Sequence, residues 1–399
     1  MIDSTNITRY VKTASLSILV LLIMLGCGQE ETGNAGNQEL PIIDNGEVRV
    51  SAPYLGSDLS YVNEMLDCGG TYRSEGEEVD PYQFFADKGN NLVRLRLWHT
   101  PDWTAYSDFD DIQKSIAKSK ALGMAVLLDF HYSDDWADPE KQLIPAAWRD
   151  IESMEILGDS VYQYTFGTLL KLKNMDLLPE MVQIGNETNV EVMMPLPAEN
   201  YDRINWERNT YLLNQGLSAV DNFNEEYGTS VETMLHIAQP ENAEWWFPEA
   251  QANGIGDFDW IGLSYYPKWS EYSLSELSSV IVSLKSRFQK RIMIVETAYP
   301  STFHNADPAN NLLGQDALIE GFGATPQGQK DYMITLTQTL LEGGGEGVIY
   351  WEPAWISTDC GTRWGDGSHW DNATFFDATN DNEALPVFDF FDQANYQAE

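Results

Sequence analysis

Met181-Val182-Gln183-Ile184-Gly185-Asn186-Glu187 is a short apolar run that stops abruptly at Gly-Asn-Glu. A second run of the same type, Arg291-Ile292-Met293-Ile294-Val295, stops at Glu296. Each reads as a buried strand with one glutamate at its C-terminal end. If both strands belong to one closed parallel barrel, the two carboxylates rise into the same mouth. Glycoside hydrolysis needs that pairing: one carboxyl protonates the leaving oxygen, and the other attacks or activates water. A single glutamate after a strand is more often a solvated loop carboxylate, so the reading rests on the pair and its surroundings.

Outward from these two runs, the chain alternates short apolar stretches with amphipathic ones. Strands are expected over 51–54, 91–98, 124–130, 181–184, 233–238, 260–264, 291–295 and 347–351. Helices are expected over 81–88, 110–122, 161–172, 206–223, 274–288 and 326–341. Asp80-Pro81 supplies an aspartate cap and a first-turn proline, and Gly89 a stop. Met124 to Phe130 is nearly all apolar, as a parallel strand covered on both sides should be. Eight strands alternating with helices predict an α/β fold, a (β/α)8 TIM barrel in one catalytic domain over 46–399. A doubly wound open sheet is the structural alternative. It normally carries a glycine-rich turn after its first strand, and this chain has none there.

Composition narrows the chemistry. The 399 residues hold 62 acidic against 23 basic side chains, a net charge of -39. A phosphate backbone needs neutralising cations, so nucleic acid is excluded as partner, and a polyanionic substrate is disfavoured. A neutral substrate fits. Many of the 13 tryptophans and 19 tyrosines fall in loops after strands, where rings can stack on sugar faces. Arg94 and Arg96 alternate with leucines and share one strand face, which in a barrel turns inward and calls for carboxylate partners.

Residues 1–27 read as a lipoprotein-type signal peptide. Arg9 and Lys12 precede an apolar run, Ala14 to Leu25, that is short for a permanent membrane span and ends Leu25-Gly26-Cys27. Met24 stands where such signals usually have leucine. Residues 28–45 are polar and glycine-rich, a flexible linker. Export with a lipid anchor at Cys27 is therefore expected, with plain secretion as the alternative. Cys68 and Cys360 each lie beyond the end of a predicted strand, the first and the last, which are neighbours in a closed barrel. A disulfide and two free thiols both remain open.

With these residues in view, the chain from about Gly56 to Asp377 resembles glycoside hydrolase family 53, the endo-β-1,4-galactanases. The resemblance is carried by Gly56-Ser57-Asp58-Leu59-Ser60, Val93-Arg94-Leu95-Arg96-Leu97-Trp98, Asp129-Phe130-His131-Tyr132-Ser133-Asp134 and Trp136-Ala137-Asp138-Pro139. It continues through Gln183 to Glu187, Ser264-Tyr265-Tyr266-Pro267, Val295-Glu296-Thr297 and Trp351-Glu352-Pro353-Ala354-Trp355, all in family order. Asn-Glu is generic to a large clan of barrel glycosidases, whereas the Asp-Phe-His-Tyr-Ser-Asp and Trp-Glu-Pro-Ala-Trp stretches are far more specific.

The resemblance implies a retaining double displacement with Glu187 as acid/base and Glu296 as nucleophile. It implies that Asn186 binds the sugar 2-hydroxyl and that Trp351 floors the sugar subsite, with Trp98, Trp136 and Trp355 at outer subsites. Asp129, His131 and Tyr265, at strand ends, join the substrate-binding set, and His131 and Tyr265 can hydrogen-bond the catalytic carboxylates. Arg96, nearer the strand end than Arg94, is expected to hold the nucleophile ionised. Some bacterial members hold calcium after the seventh strand. In this chain Asn305, Asp307 and Asn311 offer oxygens there, but alanine replaces the histidine and only one carboxylate is present, so neither metal nor cofactor is expected. The expected substrate is the neutral β-1,4-galactan of pectin side chains, cut by a monomer. The rivals are a clan-related endo-glycanase acting on glucan, mannan or xylan, and a non-catalytic polysaccharide-binding surface lipoprotein.

Overall fold

Eight parallel strands close into a barrel in a computed structural model that describes residues 52–196, 204–363 and 365–396. The strands are β1 (Tyr54–Asp58), β2 (Leu92–Leu97), β3 (Ala125–Phe130), β4 (Met181–Ile184), β5 (Glu232–Ala238), β6 (Trp260–Ser264), β7 (Arg291–Glu296) and β8 (Gly347–Tyr350). Each pairs with its sequence neighbour, and β1 pairs with both β8 and β2 to close the ring. The signal peptide and linker expected over 1–45, with Cys27, lie outside the described residues.

Helices α1 (Val62–Asp67), α2 (Pro81–Asp87), α3 (Phe109–Ala121), α4 (Met154–Lys173), α5 (Trp206–Tyr227), α6 (Pro240–Ala252), α7 (Leu274–Phe288) and α8 (Pro326–Glu342) connect the strands. Local chemistry sets many of their starts. Asp80, Asp108, Ser153, Asn205 and Thr325 each accept a backbone N–H of the first turn, and Ser273 with Glu276 forms a capping box.

Three differences from the sequence reading have physical causes. The first strand runs over Tyr54–Asp58, not 51–54, because Gly56, Ser57 and Asp58 are small or polar yet fully inside. A Cβ on Gly56 would stand 2.9 Å from the carbonyl oxygen of Leu92, so only glycine lets β1 and β2 approach there. Helix α6 was not expected because it carries Pro240 and Pro248, but Pro240 occupies the first turn, where no N–H is needed. A four-stranded sheet formed by Tyr72–Ser74, Glu77–Val79, Phe376–Asp377 and Glu383–Ala384 lies outside the barrel pattern and left no periodic signal.

The barrel interior is layered. Leu92, Leu127, Met181, Met234, Trp260, Met293, Val295 and Ile349 form a separate fully buried apolar floor. Two residues further along the same strands, the inward positions become Arg94, Asp129, Gln183 and His236. The period of two along each strand puts these polar groups directly above the apolar layer.

Cys68, capping α1, is bonded to Cys360 beyond β8, with Cα atoms 5.6 Å apart. The bridge joins the two ends of the barrel sequence across 292 residues. Replacing both cysteines by serine is expected to cost about 2–4 kcal/mol of stability, read as a lower denaturation midpoint. Activity per folded molecule is unchanged, since the bridge touches neither glutamate.

Candidate active site

Arg94 is the hub. Its Nη1 contacts Asp58 Oδ2 and Glu296 Oε1, both at 2.9 Å. Its Nη2 donates to Asp129 Oδ2 at 2.8 Å and Asn186 Oδ1 at 2.7 Å, and its Nε to Gln183 Oε1 at 3.3 Å. The guanidinium thus donates hydrogen bonds to four residues and forms an ion pair with a fifth, Glu296, and the side chain is only 1% exposed. Burial works against the charge, but Asp129, Glu296 and Asp58 together hold its pKa above the ordinary value.

Glu296 sits at the last residue of β7. Tyr266 donates to its Oε2 at 3.2 Å. Strict alternation would turn Glu296 outward, because Met293 and Val295 already face the floor. A register shift intervenes: Leu263 pairs with Ile294, but Ser264 pairs with Glu296. The extra residue on β7 is a bulge, a device that re-aims a side chain at a strand end. Burial raises the Glu296 pKa from 4.5 to about 7, and Arg94 is the largest opposing influence.

Glu187 follows a sharp turn after β4 in which Gly185 (φ 83) and Glu187 itself (φ 43) are left-handed. Gln142 donates to the carbonyls of Asn186 and Glu187 and pins the turn. Glu187 is half-buried, and Ser264 Oγ lies 2.5 Å from its Oε1. Its pKa is raised well above the carboxylate range, first by burial and then by Glu296, against the hydrogen bond from Ser264. Carboxylate oxygens of Glu187 and Glu296 lie within 4.8 Å of each other.

Asn186, adjacent, is buried: Nδ2 donates to Ala137 O at 2.7 Å and Oδ1 accepts from Arg94 and Gln183. Trp351 is half-buried at the end of β8 and makes an edge contact with Trp370 at 4.7 Å. Trp136, also half-buried, lies 5.8 Å from Trp351, so these two rings border the mouth together.

Several expected contacts fall elsewhere. Arg96 does not reach Glu296. Its guanidinium pairs with Glu352 Oε1 at 3.0 Å and lies over the rings of Trp136, Trp98 and Tyr61. Arg94, two residues deeper, spans upward to the nucleophile position instead. Tyr265 donates to Tyr272 O and faces away, while Tyr266 faces Glu296. Ser264 already points inward, so the next inward side chain is two residues on. His131 bonds a carboxylate, but that of Asp129 at 3.0 Å, not either glutamate. Asp129 is fully buried and holds Arg94, where substrate contact was expected. Trp98 is 2% exposed, and Trp355 is 4% exposed and stacked on Tyr61, so both pack the wall.

Asp58, Gln183, His236, Ser264, Tyr266 and Glu352 were not singled out. His236 carried a signal, a histidine alone inside an apolar strand. The others stood unassigned within quoted motifs. In the loop after β7, Asp307 accepts from Ser357 Oγ and from the backbone of Ala309 and Ser368. Asn311 donates to Asn305 and to Asp371. The Asp307 and Asn305 oxygens thus accept from donors in and around this loop.

An eight-stranded barrel with two carboxyls this close at its mouth, one with its pKa raised and one held by an arginine, defines the class: a barrel glycoside hydrolase. Residues 54–391 match glycosyl hydrolase family 53, and the chain belongs to that family. It is 54% identical over 360 residues to an arabinogalactan endo-β-1,4-galactanase of Cellvibrio japonicus (strain Ueda107), covering 90% of this chain and 96% of that one. It is 32% identical over 313 residues to an endo-β-1,4-galactanase of Bacillus subtilis (strain 168), covering 75% and 70%. Among solved structures, the Ignisphaera aggregans family 53 catalytic domain superposes with a TM-score of 0.78 at 31% identity, covering 90% and 100%.

Proposed function

We propose that the chain is an endo-acting β-1,4-galactanase that cleaves the neutral galactan of type I arabinogalactan with retention of anomeric configuration. The observation that carries the mechanism is the separation of Glu187 and Glu296 oxygens, within 4.8 Å. Retaining enzymes hold their carboxyls about 5–5.5 Å apart, whereas inversion needs about 6.5–9.5 Å for an intervening water. Glu296 attacks the anomeric carbon as the carboxylate, the form that Arg94 and Tyr266 favour. Glu187, which keeps its proton longer, protonates the leaving oxygen and then deprotonates the incoming water. Trp351 and Trp136 offer faces to the sugar rings. The substrate assignment is supported by the relatives above.

A reducing-end assay on β-1,4-galactan beside β-glucan, mannan and xylan tests the substrate. Short oligosaccharides from galactan support the proposal. Release from another polymer keeps the mechanism and moves the substrate, and binding without release favours a carbohydrate-binding role.

Glu187→Ala is expected to lose about 10²–10⁴-fold on polymer, the usual worth of a general acid. On aryl β-galactosides with good leaving groups the loss in the first step is much smaller, because no proton is needed. Equal loss on both substrates contradicts the role.

The N-terminal residues support export with a lipid on Cys27. Labelled palmitate incorporated by the wild type and lost in Cys27→Ala is the expected result.

A further inference from the structure

Ser264 stands between two groups that compete for its single proton. Its Oγ lies 2.5 Å from Glu187 Oε1 and 2.9 Å from His236 Nε2. His236 is fully buried, and burial, with Arg94 and His131 nearby, keeps it neutral. One ring nitrogen therefore carries hydrogen and the other does not. His236 Nδ1 lies 2.9 Å from Asn186 Oδ1, an acceptor. That contact is favourable only if Nδ1 carries the hydrogen, which leaves Nε2 as a bare acceptor facing Ser264. Two donors also lie near Nδ1: the Gln183 amide at 3.1 Å, whose hydrogens are placed on Asp129 and Asn186, and the backbone N–H of Glu187 at 3.4 Å, so the 2.9 Å contact with Asn186 is the shortest and sets the tautomer.

We infer that Ser264 is a positioning residue whose hydroxyl turns between His236 and Glu187 as Glu187 passes from acid to base. With Glu187 protonated at Oε1, the proton is donated to Ser264 Oγ and Ser264 donates to His236 Nε2, so every group is satisfied. When the glycosidic oxygen arrives, Glu187 presents its proton there and Oε1 becomes an acceptor. The proton crosses to that oxygen, whose bond to the anomeric carbon breaks with the electron pair going to oxygen, while Glu296 closes a bond to the same carbon. Ser264 gives up no proton; its O–H swings from Nε2 to Oε1 and supports the new carboxylate. In the second step water gives a proton back to Glu187 while its oxygen bonds to the anomeric carbon, the bond from that carbon to Glu296 breaks with its electron pair returning to the carboxylate, and the Ser264 hydroxyl turns back to Nε2. Such a hydrogen bond favours the ionised form of Glu187 over the protonated form.

The inference rests on Glu187 being the acid/base. The groups facing Glu187 are Glu296 from β7, Arg94 from β2, His236 from β5, Tyr266 after β6 and Asp138 after β3. Ser264→Ala keeps every one of them, and of these only His236 loses a hydrogen-bond partner, at Nε2. The test is the pH dependence of kcat/KM on galacto-oligosaccharide for wild type, Ser264→Ala and Glu187→Gln. Loss of a hydrogen bond to a charged acceptor is expected to move the alkaline limb of Ser264→Ala up by about one pH unit. The acid limb, set by Glu296, stays in place. An alkaline limb that stays or moves down overturns the inference. If Ser264→Ala does not fold, Ser264→Cys, which keeps a weaker donor, is read the same way: an upward shift supports, none overturns. Glu187→Gln separates the two claims. Loss of its alkaline limb upholds the acid/base role whatever Ser264 does, and persistence of that limb removes the role itself.

Discussion

Glu296→Ala abolishes turnover on every substrate, polymer or activated aryl glycoside, with a loss on the order of 10⁵-fold or more, as for other covalent nucleophiles. No neighbouring group can replace it. Asp58 and Asp129 are the next nearest carboxylates around Arg94, but both are fully buried behind it. Leaving-group quality does not help, since the missing bond is the one to the anomeric carbon. The contrast with Glu187→Ala, which spares activated substrates, is what separates nucleophile from acid.

The same position carries a stability prediction of definite sign. The Glu296 pKa is raised from 4.5 to about 7 in the folded protein. The folded state therefore keeps a proton that the unfolded chain loses, and stability falls as pH rises through that window. Glu296→Gln removes this dependence and leaves Arg94 paired with Asp58 and Asp129. Its melting temperature should exceed that of the wild type at pH 8 by more than at pH 5. An equal offset at both values contradicts the assignment.

Arg94→Met is the second large effect, on folding as well as catalysis. It strips the partner from three carboxylates, those of Asp58, Asp129 and Glu296, the first two of them fully buried. Breaking a buried ionic network from one side costs about 3–5 kcal/mol, so the denaturation midpoint drops sharply. Whatever folds is inactive, because Glu296 then holds its proton. Arg94→Lys does not rescue it: three donors on one nitrogen cannot serve five separate acceptor residues. Arg96→Met is the control. Its partner Glu352 is raised well above the carboxylate range by burial, with Asp58 adding to the effect, and neutralises readily when left alone. The smaller loss expected there would be reversed if Arg96 held the nucleophile. Circular dichroism melts with activity on an aryl galactoside distinguish the two.

Fold and catalytic pair were legible because they rest on local signals. Eight apolar runs, most of them separated by helical segments, leave few alternatives to a closed parallel barrel. Glu187 and Glu296 were visible as carboxylates at strand ends. The resemblance then named their roles from motifs that survive as contiguous residues. Which arginine serves Glu296, which tyrosine donates to it, and which tryptophans reach the mouth were not legible. Those choices depend on how far a side chain extends and on which inward position an element has reached when it leaves the strand.

By itself, then, the sequence determined the alternation, the strand ends and the identity of the two carboxyls, since period and composition act over a few residues. Only the tertiary structure decided that Arg94 and not Arg96 grips Glu296, and that Tyr266 and not Tyr265 faces it. Only there does Val295 become the extra residue that turns Glu296 inward. The reason is physical: inward or outward is fixed by register against a neighbouring strand. The bulge opposite Ser264 is a property of the pair β6 and β7, absent from either strand read alone.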